Sequence, residues 1–421
     1  MSQPTYVIVG ANLAGGSAAV ALRDAGFDGK IVLIGAESYP PYERPPLSKG
    51  LLMGGKAPES TYLHPIEFYA EQGIELLLST TVSRILPRWG AVELEHGSTL
   101  PADRILLTTG ARPRRLQIPG LELTGVHYLR DINDAIAIRD QLQAQVRVTI
   151  IGGGFIGAEV AATARQTGCE VTMLAASARP LHRMLLNPAI AAFFAAAHRS
   201  HGVDLRTRCR ASAIEGEHGR VRRVVTSDGS AIDTDIVIVG IGTEPASELA
   251  RDAGIATADG ILIDPCCRTS TPNVLAAGDV ARHLDRRARA TVRLEHWQGA
   301  QNQALAAARS MVDRPDPYDE VPWYWSDQYD LNLQVAGLPK IGDAWVLRGD
   351  INASSFSFLS LRDGRLSCIV AVNRPRDVRP AIKMIEAGFP VVPHRLADVS
   401  IELRHQLSQT VGGVPTGGTR A

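Results

Sequence analysis

Two glycine-rich turns, about 140 residues apart, constrain this chain more than any other feature of it. The apolar run Tyr6–Val9 enters Gly10-Ala-Asn-Leu-Ala-Gly15, and Val148–Ile151 enters Gly152-Gly-Gly154-Phe-Ile-Gly157. Each turn leads into an alanine-rich helical stretch, Ser17 to Asp24 or Ala158 to Gln166, closed by Gly26 or Gly168. A second apolar strand follows in both places, Ile31 to Ile34 and Val171 to Leu174. Strand, glycine turn, helix and strand in that order are the setting a dinucleotide fingerprint requires. The first glycine turns the chain, the second lets backbone approach a pyrophosphate, and the third packs helix against strand. Free N–H groups at the helix start then face the anion.

The two copies differ where it matters. Asn12 replaces the second glycine of the first copy, and asparagine is the non-glycine residue that best tolerates a positive φ. The turn survives on that reading, with the Asn12 side chain directed away from the phosphates. Glu37, just past the second strand, is placed to accept hydrogen bonds from a ribose. In the second copy the strand ends Met173-Leu-Ala-Ala-Ser177, with no carboxylate, and Arg179 and Arg183 lie nearby. The acid that normally repels a 2′-phosphate is missing, so NADH and NADPH both stay open.

At 421 residues the chain is too long for one core, and two or three domains are expected. Hydrophobic residues at 45% and charged residues at 21% exclude disordered, collagen-like and coiled-coil classes. The 44 basic and 44 acidic residues cancel, so no global field attracts nucleic acid or an anionic membrane. The longest apolar stretch, Ala189 to Ala197, is about half of what spans a bilayer. A strand that begins within the first ten residues leaves no room for a signal peptide. The five cysteines (Cys169, Cys209, Cys266, Cys267, Cys368) form no Cys-x-x-Cys pair and no disulfide framework, which reads as a reducing, cytoplasmic setting. His182, His198 and His201 have no second ligand cluster beside them, and no metal site is expected.

Further motifs fall in a definite order: Pro40-Pro-Tyr-Glu-Arg-Pro-Pro-Leu-Ser-Lys49, Thr108-Thr-Gly-Ala-Arg-Pro113, Val239-Gly-Ile-Gly242, and Arg268-Thr-Ser-Thr-Pro-Asn-Val-Leu-Ala-Ala-Gly-Asp-Val280. Arg293-Leu-Glu-His-Trp-Gln-Gly-Ala-Gln-Asn302 and Val321-Pro-Trp-Tyr-Trp-Ser-Asp-Gln-Tyr329 complete the set. From about residue 6 to 400 the chain resembles the FAD-dependent, NAD(P)H-linked ferredoxin reductases of bacterial oxygenase systems, a group that includes rubredoxin reductases and apoptosis-inducing-factor-like proteins.

The resemblance implies an α/β fold of the glutathione reductase type, with two Rossmann-like domains and a small α/β C-terminal domain. FAD would take residues 1–113 and 246–320, the nicotinamide nucleotide 114–245, and the C-terminal domain 321–408, with 409–421 a flexible tail. It implies an FAD site at Gly10, Asn12, Ala14, Gly15, Glu37, Arg44, Lys49, Val82, Ala111, Arg112, Arg130, Asp279, Trp297 and Trp325. NAD(P) would meet Gly152, Gly154, Phe155, Ile156, Gly157, Glu159, Gly240, Ile241 and Gly242. Lys49 and Glu159 would pair at the flavin edge, and Trp297 would pack beside the ring. The chain holds five lysines against 39 arginines, so a lysine at position 49 is a local exception that suits a compact ammonium.

Hydride would pass from the nicotinamide to FAD and single electrons to a [2Fe–2S] ferredoxin, with the protein a monomer or weak dimer. The basic stretches Arg282/Arg286/Arg287/Arg289 and Arg374/Arg376/Arg379 are candidate steering patches for an acidic ferredoxin. Two rivals share the fold. Disulfide or peroxide chemistry needs a redox cysteine near the flavin, and none lies between Gly35 and Leu63. An NAD(P)H-responsive interaction protein, resembling apoptosis-inducing factor, is the other.

Overall fold

The computed structural model describes residues 3–179, 181, 185–388 and 390–410, for 407–410 the backbone alone. These divide into two compact units, one drawn from 1–181 and 194–319, the other from 182–193 and 320–421.

The first unit is built twice from one plan. Thr5–Val9 sits at the centre of a five-stranded parallel sheet in the order Val274–Ala276, Arg104–Leu107, Thr5–Val9, Lys30–Ile34, Ile74–Leu77. Arg147–Ile151 sits at the centre of a second, ordered Asp204–Thr207, Glu170–Ala175, Arg147–Ile151, Ile236–Val239, Val126–Tyr128. Parallel strands covered on both faces are buried on both faces, which is why these runs are apolar without alternation. Ile8, Leu33 and Leu106 pack under one face of the first sheet, while Val7, Val32 and Ile105 pack under the other. The fingerprint helices, Leu13–Asp24 and Phe155–Gln166, start earlier than the alanine-rich stretches alone suggest. Each half also carries a three-stranded antiparallel sheet, Val82–Pro101 and Ala211–Asp233. The chain passages between the halves run side by side as an antiparallel ribbon, Ala111–Pro113 against Thr243–Pro245.

The second unit has a five-stranded antiparallel sheet in the order Trp323–Gln328, Leu331–Gly337, Arg365–Val372, Ser355–Arg362, Ala344–Asp350. The helix Pro375–Ala387 packs Val378, Ala381, Met384 and Ile385 onto it. The fully buried Arg348 is held by Asp377 and by the carbonyls of Leu396 and Ile401. A last helix runs Leu403–Thr410, past the point where the sequence reads as tail. Residues 411–421 lie outside the described residues.

No helix among the described residues is long and apolar enough to cross a membrane, and no group of His, Cys, Asp or Glu among them has a metal-binding arrangement.

Candidate functional site: two nucleotide cradles joined by an ion pair

The glycines of the two turns do the same work in each copy. Gly10 (φ +117°) and Gly152 (φ +128°) adopt backbone that L side chains rarely reach. A Cβ there would stand 2.3 Å from the Thr108 carbonyl oxygen and 2.1 Å from that of Gly240. A Cβ on Gly15 or Gly157 would lie 2.0 or 2.1 Å from the carbonyl oxygen of Gly10 or Gly152. First and third glycines thus lock turn, helix and neighbouring strand together.

The second position differs. Gly154 begins its helix with no side-chain cap, and nothing lies within 4 Å of where its Cβ would be. An open cradle in front of an uncapped helix N-terminus fits a pyrophosphate. Phe155, Ile156 and Gly157 supply the first helical N–H groups, and Ile156 is 47% exposed there. Gly240, Ile241 and Gly242 follow the adjacent strand, with the Gly242 carbonyl accepting from the Arg114 N–H.

Asn12 corrects the expectation of a positive φ: its φ is −122°, because the left-handed turn is taken by Gly10. Its side chain is the helix N-cap, accepting from the Ala14 and Gly15 N–H groups at 3.0 and 3.2 Å while donating to the Thr108 carbonyl. Asparagine is among the best capping residues. The side chain is therefore turned back onto its own turn.

Around this first turn the fold gathers residues that are far apart in sequence. Glu37 accepts from Tyr42 Oη and from Arg44 Nη2 (2.7 Å), and Arg44 Nη1 donates to the Arg130 carbonyl. Arg130 Nη2 reaches Asp279 at 3.3 Å. Burial, reinforced by the charge of Arg44, lowers the Arg130 guanidinium from its ordinary value. Burial also pushes the Tyr42 phenol far up, so it stays a neutral donor to Glu37. Small residues let the backbone come close here: a Cβ on Gly278 would sit 3.1 Å from Ala14 Cβ and 3.6 Å from Ala300 Cβ. Acceptors at Glu37 and Asp279 suit sugar and ribityl hydroxyls, and the arginines between them suit phosphate, so the residues present fit FAD.

Val82 lies in the core with Val92 and Leu94, so only its backbone is available to a ligand. Ala111 is buried on the connecting ribbon, whereas Arg112 is half exposed in ion pairs with Glu244 (2.7 Å) and Glu248 (2.5 Å). Trp325 is carried by the second unit, where its ring stacks on Trp323 at 5.2 Å and 27°.

A cluster of contacts joins the two cradles. Lys49 Nζ pairs with Glu159 Oε2 at 2.8 Å and donates to the Pro45 carbonyl at 3.2 Å. Lys49 ends the short 3-10 helix Pro45–Ser48 of the first half, while Glu159 projects from the fingerprint helix of the second. Glu159 is 4% exposed, not the helix-surface carboxylate its position suggests. Ser48 Oγ donates to the same carboxylate at 2.5 Å, and Thr163, one turn on from Glu159, donates to the Ser48 carbonyl at 2.8 Å. Ser48 and Thr163 escaped sequence reading; the i, i+4 spacing of Glu159 and Thr163 is the signal that marks them.

Trp297 opens the helix Trp297–Met311 and packs against the first core. Gln303, also missed by sequence, accepts from the Gly278 N–H at 3.0 Å and so holds the Asp279 loop. The helix is capped by His296, whose Nδ1 accepts from Gly299 N–H at 3.0 Å. A Cβ on residue 299 would stand 2.4 Å from the His296 ring, so the histidine cap and its glycine are matched. Burial, with the neighbouring His283 adding to it, lowers the His296 ring to about 4 from 6.5. The unfolded chain therefore binds more protons between those two values. His296 contributes stability that is complete above about pH 6.5 and disappears as pH falls toward 4. His296→Asn, which keeps a cap, is expected to flatten the pH profile of urea unfolding across that window by roughly 2–3 kcal/mol. An unchanged slope would show that His296 does not titrate with folding.

The cysteines stand apart from this chemistry. All five are free, and burial pushes the thiols of Cys169, Cys267 and Cys368 above their ordinary value. Inert thiols of this kind do not exchange disulfides.

Two parallel-sheet halves, two glycine cradles and a buried ion pair between them define a two-dinucleotide oxidoreductase. Residues 4–304 match the pyridine nucleotide-disulphide oxidoreductase family, and the chain belongs to it; residues 323–407 match the reductase C-terminal family. The chain is 40% identical to the anthranilate 1,2-dioxygenase system ferredoxin–NAD(+) reductase component of Burkholderia cepacia, over 96% of this chain and 99% of that one. It is 38% identical to the putidaredoxin reductase of Pseudomonas putida, over 94% and 95%. Among solved structures, the reductase in a covalent putidaredoxin reductase–putidaredoxin complex matches with a TM-score of 0.95 and 37% identity, covering 98% of this chain and 100% of that one.

Proposed function

We propose that this chain is the FAD-dependent ferredoxin reductase of an oxygenase system, taking reducing equivalents from NADH and passing them to a [2Fe–2S] ferredoxin. The observation that carries the reading is the Lys49–Glu159 pair, which ties the two nucleotide halves to one point. A ferredoxin as acceptor is supported by relatives that match over nearly their whole length, a ferredoxin–NAD(+) reductase component and a putidaredoxin reductase.

In this reading the first half, with 246–320, holds FAD and residues 114–245 hold the nicotinamide nucleotide. Glu37 takes the ribose hydroxyls, Arg44 and Arg130 the pyrophosphate, and Asp279 the ribityl chain. When bound, FAD accepts a hydride and releases its two electrons one at a time. Lys49 presents an ammonium whose other contacts, Glu159 and the Pro45 carbonyl, fix it in place. Glu159, which accepts from both Lys49 and Ser48, keeps that ammonium from drifting. Trp297 closes the first core beside the Asp279 loop. No side chain serves as nucleophile or acid in this scheme.

The steering patches are smaller than the sequence suggests. Arg282 is paired with Asp259 and Arg287 with Asp319, leaving Arg286 and Arg289 exposed; Arg374 is paired with Asp377, leaving Arg376 and Arg379. These four are the arginines we assign to attraction of an acidic ferredoxin. The free cysteines fit a reducing cytoplasm. The test is transfer from NADH through the FAD-loaded protein to a [2Fe–2S] ferredoxin, followed by sequential mixing; a ferredoxin that stays oxidised would overturn the reading.

A further inference from the structure

The two nucleotide halves match in the register of their central strands. Val9 lies opposite Ile34 and Leu107, and Ile151 lies opposite Leu174 and Val239. The match continues past the strand ends. In the first half the Gly35 carbonyl accepts from the Thr80 N–H (2.9 Å) and the Glu37 carbonyl from the Ser79 N–H (3.0 Å). In the second, the Ala175 carbonyl accepts from the Cys209 N–H (3.1 Å) and the Ser177 carbonyl from the Arg208 N–H (3.0 Å). Ser79 and Arg208 even share the left-handed backbone, with φ of 49° and 55°.

Ser177 therefore stands where Glu37 stands, and Arg208 stands where Ser79 stands. One position loses a negative charge and its partner gains a positive one, at the strand end where a dinucleotide places its adenosine ribose. Ala175, the last residue of the strand, is buried and also uncharged. Arg208 is exposed, and its side chain has no hydrogen-bond or ion-pair partner among the described residues. Arg179, also exposed, lies two residues beyond Ser177, whose hydroxyl donates to the Arg179 carbonyl at 2.6 Å. On the adjoining strand Asp204 is occupied by Arg206 at 2.8 Å. Arg183 lies outside the described residues.

We propose that the second half is a 2′-phosphate site, so that the protein takes NADPH as well as NADH, with Arg208 the specificity-determining residue and Arg179 a second cation. The inference rests on reading that half as the nicotinamide nucleotide site. A planar guanidinium offers two parallel N–H donors to a phosphate dianion, which a diol lacking the phosphate cannot exploit. The first half shows the alternative in the same chain: Glu37 would repel that phosphate.

The test compares kcat/KM for NADPH and NADH on the FAD-loaded, full-length protein and on Arg208→Ser, which installs the residue of the first half. Calorimetric titration with 2′,5′-ADP and with 5′-ADP runs in parallel. Wild type is expected to use NADPH at least as well as NADH and to bind 2′,5′-ADP the more tightly. Arg208→Ser is expected to lower the NADPH-to-NADH ratio about 10- to 100-fold, the usual worth of a charge-assisted contact, and Arg208→Lys to recover part of it. A wild-type preference for NADH above about tenfold, equal binding of the two fragments, or an equal loss with both nucleotides in Arg208→Ser would overturn the proposal. Flavin that neither nucleotide reduces would instead count against the reductase reading, and the fragment titration would still decide the phosphate site.

Discussion

Gly152→Ala is expected to yield a yellow protein whose flavin NADH reduces at least about 100-fold more slowly, while Gly10→Ala is expected to yield a protein that has lost its flavin. The two substitutions are chemically identical, and the fold makes them strained in the same way. At Gly152 a methyl group must coexist with a φ of +128° and a carbonyl oxygen 2.1 Å away; at Gly10 the values are +117° and 2.3 Å. Neither clash is with the tip of a flexible side chain. Both are with backbone just past the end of the neighbouring strand, so the turn itself must move. A displacement of about 1 Å at a nucleotide's phosphates is enough to cost two orders of magnitude in a reaction that depends on ring alignment. Flavin content by absorbance and flavin bleaching by NADH separate the outcomes. Loss of flavin in Gly152→Ala with retention in Gly10→Ala would reverse the assignment of the two cradles.

The second large effect belongs to the ion pair. Lys49→Met and Glu159→Gln should each slow flavin reduction by roughly 10- to 100-fold with flavin retained, and the double variant should be no slower than the worse single. Residues that act as one unit are non-additive in this way. The two singles should differ in stability, however. Lys49→Met removes the cation that faces the carboxylate of Glu159, which is 4% exposed, whereas Glu159→Gln leaves an ammonium that is 21% exposed and partly solvated. A buried charge that loses its counter-charge is the costlier of the two. Unfolding by urea should therefore show the larger loss in Lys49→Met. Effects of the two substitutions that multiply in the double variant would mean that each residue acts alone.

The glycine turns and their strands were legible because they are local: backbone geometry at Gly10, Gly15, Gly152 and Gly157 is dictated by residues within a few positions and one neighbouring strand. The order of motifs carried the fold class and the residues that meet in the first cradle. Less legible was anything set by register. Asn12 has a capping side chain and a negative φ, and only the position of Gly10 reveals why the positive φ is not needed there. Glu159 is buried because Ser48 and Lys49 arrive from 110 residues away, and no periodicity in its own helix announces that. The matching of Glu37 with Ser177, and of Ser79 with Arg208, depends on hydrogen bonds beyond the strand ends. The antiparallel sheet within each half went unseen because the two sheets share a position in the plan but no sequence motif.

Electron flow through the protein is read out by a sequential-mixing stopped-flow experiment under anaerobic conditions. FAD-loaded protein is first mixed with NADH, and then with an oxidised [2Fe–2S] ferredoxin. Bleaching of the flavin, followed by its reoxidation as two equivalents of ferredoxin are reduced, is the predicted result. A flavin that bleaches and then stays reduced, or forms a long-lived charge-transfer band in the presence of ferredoxin, would contradict the electron-transfer account and favour the nucleotide-responsive interaction protein.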